Sequence, residues 1–96
     1  MLVISGVAES TKANSANNIS KGNVHGFNLF SSNESLEEQL DTIESYMIDR
    51  GWDNIVIEEQ ELIDDISAFR HDVILKAIEV AQANGLAGVI NNDPVM

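Results

Sequence analysis

Residues 31–52 read SSNESLEEQLDTIESYMIDRGW, and this stretch decides the fold class because it reads as a helix set between two extended segments. Leu36, Leu40, Ile43 and Met47 recur at the three- and four-residue spacing that lines one side of a helix. Ser35 with Glu38 three residues on matches a capping box, and Ser32 or Asn33 could cap in its place. Gly51 offers the left-handed position that ends a helix, and Trp52 can fold back on the last turn as its apolar contact. Tyr46, Met47 and Trp52 read as core rather than as cofactor contacts.

Working outward from this helix, Leu2–Ala8 (LVISGVA) and Val24–Phe30 (VHGFNLF) read as strands, with His25, Phe27 and Leu29 on one face by the period of two. Between them, residues 9–22 are rich in Ser, Asn and Gly and lack an apolar period, which predicts a long flexible hairpin loop. On the other side, Ile55–Ile57 reads as a third strand that leaves the core at Glu58. The stretch IEEQELIDDI (57–66) then reads as an acidic exposed link. Val73, Ile74, Ala77, Ile78 and Ala81 predict a second helix that Asn84-Gly85 ends, and Leu86–Ile90 a fourth strand, with 92–96 a frayed tail.

The element order is β-β-α-β-α-β. Two strand–helix–strand units suggest parallel crossovers beside an antiparallel first pair, hence an α+β two-layer sandwich: a mixed four-stranded sheet with both helices on one face. Leu2-Val3-Ile4, Leu29-Phe30 and Ile55-Val56-Ile57 place apolar residues on both faces, so a homodimer covering the open sheet face is the expected remedy.

Ninety-six residues, 44% of them hydrophobic, fit a single domain over 1–96. There is no cysteine, hence no disulfide and no thiolate metal site. No basic leader precedes the first apolar run, and nowhere do enough apolar residues run together to span a bilayer, so the expectation is a soluble cytoplasmic protein. The formal charge of −11 argues against direct nucleic-acid binding and against anionic membranes. That charge is concentrated: residues 34–72 hold thirteen acids against Arg50 and Arg70, which is −11, while 1–33 sum to +1 and 73–96 to −1.

No catalytic residues emerge. Asp64-Asp65 is the one carboxylate pair set among apolar neighbours, but adjacent residues of an extended segment point apart and do not form an acid–base pair. The acids of 57–66 lack the glycine a calcium loop needs at its turn, and His25 and His71 have no zinc spacing, so no metal site is expected. No nucleophile elbow or glycine-rich phosphate loop is present, and no cofactor is expected.

The acids themselves remain. Most charge runs are solvated faces, but a solvated face usually mixes signs, and here only Arg50, at the far end of the first helix, does so. The favoured reading is a non-enzymatic binding protein that docks Glu37, Glu38, Asp41 and Glu44 of the first helix, with Glu58, Glu59, Glu61, Asp64 and Asp65, on a basic protein partner. In size and charge alone the chain resembles immunity proteins against nuclease toxins and DNA-mimicking inhibitors, which implies an inhibitor-like role. The alternatives are a small-molecule- or metal-binding domain with a pocket beneath the 9–22 loop, and a self-associating structural domain.

Overall fold

The computed structural model describes residues 1–13, 19–63 and 72–95. Four strands, β1 (Leu2–Ser10), β2 (Val24–Ser31), β3 (Trp52–Leu62) and β4 (Leu86–Pro94), and two α-helices, α1 (Leu40–Asp49) and α2 (Asp72–Asn84), follow in the order β-β-α-β-α-β, an α+β fold as the sequence predicts. The strands lie side by side as β3-β1-β2-β4.

Every paired ladder is antiparallel, which corrects the expected mixed sheet. The strands flanking α1 do run parallel to each other, but β1 lies between them. The β1–β2 hairpin forms first in sequence and then receives β3 on one side and β4 on the other. Neither helical connection therefore joins neighbouring strands.

The helices also lie on opposite faces of the sheet rather than on one. Leu2, Ile4 and Ala8 of β1 and Phe27 and Leu29 of β2 pack with Ile43 and Met47 of α1, together with Ile19 and Trp52. Phe30 and Ala87, with Val3 and Val89 beside them, pack instead with Ala77, Ile78 and Ala81 of α2. Strand neighbours such as Leu2 and Val3, or Leu29 and Phe30, point to opposite faces, so each central strand needs an apolar cover on both sides. The second face, read as open and awaiting another copy, is occupied over β2 and β4 by α2.

Local chemistry shifts several boundaries. The Ser35–Glu38 capping box does not form. Asn33 Oδ1 accepts the Ser35 N–H at 2.9 Å, and residues 37–39 make a short 3-10 turn before α1. Gln39 is buried at this turn: its amide nitrogen donates to the carbonyls of Asn33 and Ser35, both at 2.8 Å, and its amide oxygen accepts from the Ser31 hydroxyl. The tighter turn changes the phase of the buried stripe. Ile43 and Met47 are 1% exposed as expected, whereas Leu40 is 46% exposed and Gln39 takes the inward position.

At the other end of α1, Gly51 adopts φ 87° and accepts the Thr11 N–H on its carbonyl at 2.8 Å. Trp52 is buried and meets the His25 ring edge-on at 5.4 Å. His25 is fully buried, with Nδ1 2.7 Å from the Asn91 carbonyl; a carbonyl only accepts, so the proton lies on Nδ1. Among the described residues its Nε2 has no hydrogen-bond partner.

Where the 9–22 segment is described, β1 runs on to Ser10, Ser10 exchanges backbone bonds with Gly22 and Asn23, and Ile19 sits in the core. β4 continues through Pro94, which pairs with His25, so the predicted fraying at 92–94 gives way to strand. His71 lies outside the described residues.

Candidate partner-binding surface

β3 is an edge strand, and that position explains its composition. It is bonded on one side only, to β1, so side chains past Ile57 need no apolar cover, and Glu58, Glu59, Gln60 and Glu61 are exposed while still in the ladder. The reading of IEEQELIDDI as a link is thus corrected through Leu62: these acids belong to a strand. Charge on an edge strand also discourages pairing with a foreign sheet.

Two irregularities shape the edge. Ser5 pairs with Glu59 while Gly6 pairs with Ile57, which leaves Glu58 as the extra residue of a bulge. A second shift separates Val7↔Val56 from Glu9↔Asp53, and Asn54 there adopts φ 47°. Glu9 and Asp53 are like charges directly opposite one another, an unfavourable cross-strand pair. Asn54 relieves it, donating its side-chain amide to Glu9 and its backbone N–H to Asp53 Oδ1 at 2.8 Å.

The acids named from the sequence fall on two sides of this edge. Glu37 and Glu38 stand on the 3-10 turn and Asp41 and Glu44 on α1, all exposed, on the face that α1 covers. Glu59 and Glu61 pair with Ser5 and Val3, which places them on the opposite face. Glu58 lies between the two sets, at the bulge. Asp64 and Asp65 lie outside the described residues.

Between α1 and β3 runs a groove of about 520 Å³ whose walls include Leu40, Asp41 and Glu44 from the helix and Asp53, Ile55 and Ile57 from the strand. Its lining brings the acidic residues Asp41, Glu44 and Asp53 together with the apolar residues Leu40, Ile43, Ile55 and Ile57. Sequence reasoning missed Asp53 and Leu40. Leu40 fits a buried stripe as well as an exposed one until the phase of the 3-10 turn is known, and Asp53 reads as the ordinary polar residue after a helix stop.

Among the described residues, Glu37, Glu38, Asp41, Glu44, Glu58, Glu59 and Glu61 form no ion pair. Among the described residues, carboxylates meet cations at two places only, Glu34 with the amino terminus at 3.2 Å and Glu79 with Lys76 at 4.0 Å. Arg50, the basic residue of α1's end, is turned elsewhere: its guanidinium lies 3.5 Å over the Tyr46 ring and donates to the Tyr46 carbonyl. Among the described residues no three His, Asp or Glu side chains are grouped to hold a metal ion, and no helix is long and apolar enough to cross a membrane.

No protein-family profile, curated protein or solved structure matches this chain.

Proposed function

We propose that this protein is a small acidic binding protein, inhibitor-like in action, that docks the β3 edge and the outer side of α1 on a basic protein surface. The observation that carries this reading is the groove between α1 and β3. Asp41 and Glu44 of the helix line it together with Leu40, Ile55 and Ile57, with Asp53 at its strand end, and no lysine or arginine of the described chain forms an ion pair with them. A bare carboxylate row is served by water. Carboxylates set around exposed apolar side chains are matched by lysine or arginine, whose aliphatic stems lie on Leu40 and Ile55 while their heads reach the acids.

Concentrated negative charge of this kind raises the rate of encounter with a basic partner and rejects acidic ones, and both effects fall off beyond a screening length of about 8 Å at physiological salt. The partner contact in this scheme is centred on α1 and the groove, with Glu58, Glu59 and Glu61 flanking it across the edge.

The test is affinity capture at low and high salt, comparing the wild type with a variant carrying Glu37→Gln, Glu38→Gln, Asp41→Asn and Glu44→Gln. A basic protein retained at low salt, released at high salt and lost in the variant supports the reading. Identical binding by both proteins, or binding insensitive to salt, overturns it.

A further inference from the structure

Among the described residues β3 and β4 are the outer strands of the sheet, and the two edges are built differently. Along β3, Glu58, Glu59 and Glu61, two register shifts and the left-handed Asn54 all oppose the addition of another strand. Along β4, residues 86–90 (LAGVI) carry no charge, and the pairing with β2 runs unbroken from Phe27↔Ile90 to Ser31↔Leu86. A groove of about 440 Å³ follows this edge, with Tyr46 on one side of the sheet and Val73, Lys76, Ala77 and Val80 of α2 on the other. Val73 is 52% exposed there.

Charge selects the strand that fits. Residues 72–96, which form α2 and β4, sum to −2 (Asp72, Glu79 and Asp93 against Lys76), against −10 for residues 34–71, and β3 and β4 stand at opposite ends of the strand order. A second copy joined at β4 therefore keeps the acidic edges at the far ends of the combined sheet, whereas joining at β3 would press them together. α2 adds complementarity, because Asp72 and Lys76, of opposite sign, both line the groove. Across a two-fold axis the two α2 helices run antiparallel, so Lys76 of each copy can face Asp72 of the other, as a self-complementary contact requires.

We propose that this protein forms a two-fold homodimer by antiparallel pairing of β4 with β4 of a second copy, making one eight-stranded sheet with the two α2 helices side by side across the seam. The contact is by edge, not by face, and it is independent of the basic-partner reading: both acidic edges stay outward and either proposal can fail without the other.

Sedimentation equilibrium over a concentration series tests it. The wild type is expected to reach twice the mass of the 96-residue chain. Val73 and Lys76 are exposed, so Val73→Glu with Lys76→Glu is expected to leave the far-UV circular dichroism spectrum unchanged while weakening dimerisation at least about tenfold, the equivalent of roughly 1.4 kcal/mol. The exchanged pair Asp72→Lys with Lys76→Asp should dimerise as the wild type does, and Glu59→Lys at the other edge should change nothing at this seam. Hydrogen exchange of the 86–90 amides should slow as concentration rises. A chain monomeric throughout, a dimer indifferent to the Val73/Lys76 variant, or one broken by Glu59→Lys would overturn the proposal. So would a monomer whose 86–90 amides are protected only by an added strand-forming peptide, since that result assigns the edge to a foreign strand.

Discussion

Gly6 sits in β1 where the β3 bulge crosses it, and replacing it with alanine should detach the acidic edge. A methyl group at this position would collide with the carbonyl oxygen of Val56 and would also lie 3.0 Å from the Ile57 Cα and from the Phe27 ring. Two of these three neighbours are backbone, which has no rotamer to change. Relief therefore requires β3 to move away from β1, breaking the ladder around the bulge. Two or three backbone hydrogen bonds at about 1 kcal/mol each put the cost near 3 kcal/mol. For a domain of this size that lowers Tm by roughly 12–24 °C, taking about 4–8 °C per kcal/mol.

Gly26 is an internal control. It is in the neighbouring strand, paired with Val7, and an added methyl would meet nothing closer than the Gly6 carbonyl oxygen at 3.8 Å. Gly26→Ala should therefore stay within about 1 kcal/mol of the wild type, with the lower entropy of the unfolded chain acting in its favour. Thermal unfolding followed by circular dichroism gives both values, and hydrogen exchange of residues 55–61 locates the damage. Equal Tm values for Gly6→Ala and the wild type, or equal losses for Gly6→Ala and Gly26→Ala, would refute the close approach of β3 to β1.

Two further predictions concern α1. Gln39→Ala removes three hydrogen bonds and leaves the Ser31 hydroxyl and two carbonyls short of partners, so denaturant titration should show a loss of about 2–3 kcal/mol, far above that of an exposed glutamine. Ile43→Ala and Leu40→Ala separate the two sides of the helix. The first should lose about 2–5 kcal/mol by opening a cavity in the core, while Leu40→Ala should cost well under about 1 kcal/mol and, if the groove binds a partner, reduce affinity instead. Equal destabilisation by both would place Leu40 in the core.

How much of this was legible in the sequence depended on the range of the signal. The alternation of His25, Phe27 and Leu29, the Gly51 stop and the Ala77, Ile78 and Ala81 part of the α2 face are local and appear as read, whereas Val73, expected on that face, is exposed. The strand order is not local. Nothing in LVISGVA says whether it will pair with residues 24–31, with 52–62, or with both. The double-sided apolar character of β1 was visible, but a helix on the far face and a second copy explain it equally well before the chain is traced. The length of β3 was hidden for a related reason: an edge strand tolerates glutamate at successive positions, and glutamate is also what an exposed link would carry. As for the surface, its acids were plain in the sequence, whereas their division between two faces follows from a single extra residue at Glu58.

The central place of β1 has a kinetic consequence. Only the β1–β2 hairpin joins strands close in sequence; β1–β3 pairs Leu2 with Leu62, and β2–β4 pairs Ser31 with Leu86. Such long loop closures place the chain among domains that fold slowly, in milliseconds to seconds. Until residues 52–62 and 86–94 arrive, the hairpin exposes apolar side chains on two faces and unpaired backbone on two edges, a species prone to associate. The −10 charge of the residues between the hairpin and α2 is present from the start, before any partner or any fold. It keeps half-folded chains apart for as long as those two closures take.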